Sequence, residues 1–186
     1  MQNDTPTIAK SPQARNVKAR TIMEPAPVDG ARWLALTRGQ FALVDEEDFD
    51  WLSAWYWTAL IRPGRSPYAF RKVNGKPVYL HRFIMGDPPE MDVDHKDGNG
   101  LNCRRDNLRV CTHARNQQNY SKCSTVTSSS FKGVTWDKNR RKWMARIKVN
   151  RKVSNLGRFE NEQDAACAYD EAANQLFGEF ARLNFP

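Results

Sequence analysis

The sequence predicts an α+β fold in two parts, and three observations predict it. Short apolar runs separated by turn signals fill residues 33–85, a pattern of small strands and one short helix. Residues 91–120 read as strand, long polar loop, strand and helix. Residues 131–186 read as three alternating strands followed by one amphipathic helix, which gives a three-stranded antiparallel sheet packed on that helix.

The elements follow in order along the chain. Residues 1–30, rich in Pro, Ala and small polar residues, show no hydrophobic periodicity and read as a loosely attached arm carrying Lys10, Arg15, Lys18 and Arg20. WLALT, FALVD, YAFRKV and PVYLHRFIM supply the next apolar runs, and Asn74-Gly75 between two of them predicts a hairpin. DFDWLSAWYW, residues 48–57, reads as a short helix turning its aromatics into a core. One strand then leads up to His95, LRVCT forms a second, and HARNQQN suits a helix begun by Thr112 as N-cap. SKCSTVTSSS, residues 121–130, reads as a linker. Beyond it FKGVTWD, RKWMARIKV and KVSNLGRF alternate as strands. In NEQDAACAYDEAANQLFG, Ala165, Tyr169, Ala172 and Leu176 recur at helical spacing before Gly178 as a stop.

Composition narrows the function. The chain carries a formal net charge of +8, and its hydrophobic fraction of 40% implies a modest core. No run approaches the ~20 apolar residues that span a bilayer, and the first residues lack a secretory signal. A cytoplasmic location, in a bacterial or phage-infected cell, is expected. Cys103, Cys111, Cys123 and Cys167 form no Cys-x-x-Cys pair, which argues against a zinc knuckle and for free thiols. Eleven Lys or Arg face two acids between Tyr120 and Glu160, while Glu162, Asp164, Asp170, Glu171 and Glu179 precede the next base, Arg182. Such segregation of sign points to one face for a polyanion.

Residues 94–116 hold the reactive groups. Hydrolysis of a phosphodiester needs an activated water, a cation at the phosphate and a stabilised leaving oxygen. A His can take the water's proton, and a carboxylate with an amide oxygen can hold a hard divalent ion. The sequence supplies Asp94-His95, Asp97-Gly98-Asn99, Asn102, Asp106-Asn107-Leu108-Arg109 and Asn116 in that order. This set resembles the HNH endonucleases of the ββα-metal fold, in particular the homing type of phages and introns. The resemblance implies a nuclease domain over 31–120, with its ββα core at 91–120. Within it, His95 is expected as general base, and Asp94 and Asn116 as ligands of Mg²⁺ or Mn²⁺. Asn107 is expected to bridge the loop and aim His95. The Asn at the last position disfavours tight zinc binding. His113 and Asn119 flank Asn116 by one turn and are alternative contributors. Arg104, Arg105, Arg109 and Arg115 are expected on the DNA backbone, and His81-Arg82 is read as structural, with Arg82 a possible phosphate contact.

The segment 131–186 resembles the APETALA/ethylene-response-factor DNA-binding domain. Phe131-Lys132-Gly133-Val134, Trp143-x-Ala145-x-Ile147, Leu156-Gly157-x-Phe159, Ala165-Ala166-x-Ala168-Tyr169-Asp170 and Leu183-Asn184-Phe185-Pro186 carry this likeness. Alternation puts Trp143, Ala145 and Ile147 on a core face, and Met144, Arg146 and Lys148 on a free one. Thr135 and Asn155 join the free face; Lys132, Lys138, Arg140, Arg141 and Arg151 are placed at strand ends and turns. Trp136 either stacks on a sugar or base or packs at the sheet edge. Thr135, Asp137, Val153 and Asn155 replace residues that plant members use to read DNA, so a different target is implied.

Together these expectations describe a site-directed endonuclease acting on duplex DNA, monomeric and nicking one strand, with a second site or a dimer needed for double-strand cuts. A non-catalytic DNA-binding regulator is the alternative, and RNA binding is disfavoured by the sheet-in-groove mode.

Overall fold

In a computed structural model, residues 24–120 and 128–186 are described. Most of the N-terminal arm with its four basic residues, most of the serine-rich linker and Cys123 lie outside them. The architecture is mixed α+β; the order beyond residue 91 follows the prediction, whereas the run PVYLHRFIM divides into a strand and a second short helix.

Two hairpin-like layers build the first half. β1 (Ala31–Ala35) pairs antiparallel with β2 (Phe41–Asp45). Helix α1 (Glu46–Ser53) follows, its first turn carrying Glu46, Glu47 and Asp48 where the helix dipole favours acids. The helix expected over 48–57 is therefore shifted toward the N-terminus, and Trp57 instead leads into β3 (Thr58–Leu60). β4 (Tyr68–Val73) and β5 (Lys76–Tyr79) join β3 in a three-stranded sheet. Their hairpin turns at Asn74 and Gly75, both at positive φ (49° and 78°), the conformation for which Asn-Gly is favoured. Helix α2 (Leu80–Ile84) then buries Leu80, His81 and Ile84.

Strands β6 (Asp92–His95) and β7 (Leu108–Cys111) pair antiparallel, and helix α3 (His113–Gln118) starts at Thr112, whose hydroxyl accepts from the Arg115 amide at 3.4 Å. The loop between these strands is stitched to β2: the Leu43 amide donates to Leu101 and the Cys103 amide to Leu43, each at 2.8 Å. One core joins both regions, since Val44, Leu52, Trp57 and Leu80 pack in the same cluster as Val93, Cys103 and Leu108. Gly100 is required where the loop passes β4, because a Cβ there would lie 2.4 Å from the Pro67 carbonyl oxygen.

The second half is a sheet ordered β10-β9-β8, with β8 (Val134–Asp137), β9 (Lys142–Val149) and β10 (Lys152–Phe159), packed on α4 (Glu162–Phe177). The helix buries Ala165, Ala166, Tyr169 and Ala173; Leu176, expected on that stripe, is 55% exposed. A pair of alanines one turn above Tyr169 lets the helix lie close to Val134, Ala145 and Ile147, and this tilts the stripe away from Leu176. The C-terminal Asn184 locks onto α4, its amide donating to both Asp170 carboxylate oxygens at 2.9 Å.

Candidate active site and nucleic-acid interface

β6 sorts its side chains by alternation. Asp94 looks toward α3 and β7; His95 looks the other way, into the shared core. Asp94 is the register partner of Arg109, so the two stand opposite across the strands and pair, with Nε at 3.0 Å and Nη2 at 2.8 Å from Oδ2. The carboxamide of Asn119, capping α3, donates to both Asp94 oxygens at 3.1 Å and to the His95 carbonyl at 2.7 Å. Asp94, His95, Arg109 and Asn119 are all buried.

Asn116 does not reach Asp94 in this arrangement. Its amide donates to Asp92 at 2.8 Å, and the same carboxylate oxygen meets His113 Nδ1 at 2.9 Å. Burial pushes Asp92 up, but the hydrogen bonds from Asn116 and His113 outweigh it and hold the carboxyl below its usual range. The expected pairing of Asp94 with Asn116 thus resolves into two pairs, Asp94 with Asn119 and Asp92 with Asn116. The physical reason is the short helix, which offers both amides to β6 one turn apart.

His95 sits 3% exposed, its Nε2 3.8 Å from Cys103 Sγ. Tyr68 approaches edge-on at 5.6 Å between ring centres and His81 at 4.8 Å. Desolvation pushes His95 down to about 4, against the opposing pull of Asp97 and Asp94. His81, also buried, is pushed down to about 3. Both imidazoles are therefore neutral at neutral pH. Asn107 spans the loop, its amide donating to Asp97 at 3.0 Å and to the Asn102 carbonyl at 2.8 Å while its oxygen accepts from the Asp97 amide at 3.1 Å. Its hold on His95 runs through this loop, where the Gly98 amide donates to the His95 carbonyl at 2.9 Å, and not through a direct bond to the ring.

The arginines expected on DNA are engaged within the protein. Arg104 pairs with Asp45 at 3.0 Å, and Arg105 with Asp48 at 2.7 Å. Arg109 is spent on Asp94, and Arg115 stacks over Phe180 at 5.2 Å. Arg104, Arg105 and Arg109 thus compensate carboxylates of the fold, whereas Arg115 keeps an exposed guanidinium beside the ring. Arg82 is likewise taken up, by Asp87 at 2.6 Å and by the Met91 and Pro88 carbonyls.

Among the described residues no three His, Cys, Asp or Glu side chains gather as a metal cluster, so a zinc-type donor set is not formed there. One carboxylate beside a carboxamide is the donor set of a hard cation that keeps most of its waters. With its carboxamide flipped, Asn119 would turn an oxygen toward Asp94, giving a carboxylate-and-amide pair of the kind a hard divalent cation takes.

On the second half, Thr135, Met144, Arg146, Lys148 and Asn155 share the face away from α4, as the register pairs Thr135 with Met144 and Asn155 with Arg146. Arg146, Lys148 and Asn155 are exposed, as are Lys138, Arg140, Arg141 and Arg151 in the turns. Lys132 departs from this surface. It precedes β8, and its Nζ turns back to the Gln118 carbonyl at 2.6 Å, where burial pushes it down to about 8. Trp136 packs edge-to-face on Trp143 at 5.0 Å, so it serves the sheet.

Over 153 residues the chain is 33% identical to an uncharacterized HNH endonuclease of Acanthamoeba polyphaga mimivirus, covering 79% of this chain and 76% of that protein. The chain belongs to the HNH endonuclease family. The HNH endonuclease family model matches residues 78–118, and the AP2 domain model matches residues 129–179. Protein 3.8 of Escherichia phage T7 is 33% identical over 91 residues, 49% of this chain and 74% of that protein. The AP2 segment is 47% identical over 62 residues to dehydration-responsive element-binding protein 2A of Arabidopsis thaliana, 31% of this chain and 17% of the plant protein. This HNH protein thus joins a nuclease unit to a DNA-binding AP2 module. No helix among its described residues is long and apolar enough to cross a membrane.

Proposed function

We propose that this HNH protein is a site-directed DNA endonuclease that hydrolyses phosphodiester bonds by metal-assisted attack of water. The observation that supports the reading is the Asn119 carboxamide, which lies against Asp94 and the His95 carbonyl at once, so one side chain adjoins the carboxylate proposed for the cation and the residue proposed as base. His95, held neutral by burial, is in the proton-accepting form. Cys103 occupies the side of Nε2, which leaves Nδ1 as the nitrogen that takes the water's proton. Asp94 and Asn119 would hold the divalent ion, with Asn116, on the same helix as Asn119 and bonded here to Asp92, as the alternative amide. When bound, that ion neutralises charge on the phosphate and the leaving oxygen. Asn107 keeps the loop after His95 closed through Asp97 and Asn102.

The AP2 face selects the duplex through Arg146, Lys148, Thr135 and Asn155, with Lys138, Arg140, Arg141 and Arg151 on phosphates. One nuclease unit per chain cuts one strand, as a homing-type nicking enzyme would. The test is supercoiled DNA incubated with Mg²⁺, with and without EDTA, beside His95→Ala. Metal-dependent nicking by the wild type and its loss in His95→Ala are expected. An inert wild type across varied targets would return the chain to the non-catalytic regulator suggested by its plant relatives.

A further inference from the structure

The AP2 module reaches back to the loop, the second strand and the helix of the strand–loop–strand–helix unit. Arg182 Nη1 donates to the Asp97 carbonyl at 2.9 Å, and its guanidinium lies 3.4 Å from where a Cβ on Gly98 would stand. Phe180, 6% exposed, lies under Arg109, whose Cζ sits 3.8 Å from the ring centre. Arg109 also donates to the Glu179 carbonyl. At the end of α3, Lys132 binds the Gln118 carbonyl.

These contacts land on the groups that shape the reactive site. Arg109 is the guanidinium on Asp94 Oδ2, so Phe180 and Glu179 hold Arg109 where it holds Asp94. Asp97 organises the loop, its carboxylate taking the Asn99 amide at 2.7 Å, Asn102 at 2.8 Å and Asn107 at 3.0 Å, and Arg182 pins its backbone from outside. We propose that residues 178–182 of the AP2 module are a positioning element of the nuclease site, with Arg182 and Phe180 as its working side chains. Cutting then requires the module docked on the nuclease and not merely linked to it. This rests on the nuclease reading above. A reacting group displaced by an ångström can lose about 100-fold in rate, so a contact outside the chemistry can govern it.

The full-length chain is compared with Arg182→Ala, Arg182→Lys and Phe180→Ala. Three quantities are read: duplex affinity, single-turnover nicking with Mg²⁺, and hydrogen exchange of the Lys96, Gly98 and Asn102 amides. Arg182→Ala is expected to slow nicking about tenfold or more and to speed exchange at Gly98 and Asn102, with duplex affinity changed less than about twofold because Arg182 lies off the sheet face. Arg182→Lys, which keeps one donor, recovers part of the rate. Phe180→Ala slows nicking similarly; should it unfold the module, the half-buried Arg182 still decides. Wild-type rates and exchange in Arg182→Ala overturn the positioning role while leaving the nuclease reading intact. A wild type that never nicks overturns both.

Discussion

His95 shares its pocket with a second buried imidazole, and this makes the site sensitive to acid before any chemistry occurs. The unfolded chain protonates its histidines near 6.5, whereas the folded protein resists until about 3 at His81 and about 4 at His95. Because the folded values are depressed, stability is complete above the unfolded pKa and is lost as pH falls through this window. Urea unfolding in EDTA should therefore show a stability lower by about 2 kcal/mol or more at pH 5 than at pH 7. His81→Phe should lose less over the same range, and a flat profile in the wild type would contradict the buried pair. His81 Nδ1, buried without a partner among the described residues, adds to the cost of this packing. A second prediction concerns the amides. Asn119→Ala should raise the Mg²⁺ concentration needed for half-maximal nicking more than Asn116→Ala does, since Asn119 is the one on Asp94. Metal titrations of both variants check it, and the reverse order would restore Asn116 as the ligand.

At the scale of elements, much is legible in the sequence. Asn-Gly announced the β4–β5 hairpin, Thr112 the start of α3, and the alternation of residues 142–149 the two faces of β9. What escaped the sequence depended on distances between elements. Residues 116 and 119 share a helix face, and only the placement of α3 on β6 decides which amide meets Asp94. Arg109 looked like a free cation because the register that sets it opposite Asp94 depends on how the long loop closes. Lys132 lies one residue before the turn at Gly133, outside the alternation that would have placed it on DNA. Gly133 itself makes a testable point. Its φ is 78°, and a Cβ would stand 2.0 Å from a Tyr169 ring carbon. Gly133→Ala should destabilise the sheet-and-helix module by about 2–4 kcal/mol, seen as a lower midpoint in thermal unfolding. Arg146→Ala, by contrast, should leave that midpoint within about 1 °C of the wild type while weakening duplex binding and lowering its salt slope by about one. An unchanged slope would move the interface off this face.

At the scale of the whole molecule, the charge segregation seen in the sequence acquires a shape. The bases of residues 138–151 occupy one side of the AP2 sheet, and the acids of α4 lie on the helix behind it. The nuclease unit meets this module through its terminal segment, at Phe180 and Arg182, leaving the basic face open. On the proposed reading, recognition would use the basic sheet face and cutting the buried strand–helix site.

The stacking of Phe180 on Arg109 bears on how such a nuclease would be retargeted. Exchanging the whole recognition module for a foreign one would remove the ring and the carbonyl that steady Arg109, and the chimera would bind its new sequence yet cut it poorly. Redesign would do better to keep the backbone from Gly178 to Arg182 and alter only Thr135, Arg146, Lys148 and Asn155. In a lineage of related enzymes, new specificities would then arise by drift on one sheet face more readily than by shuffling of parts.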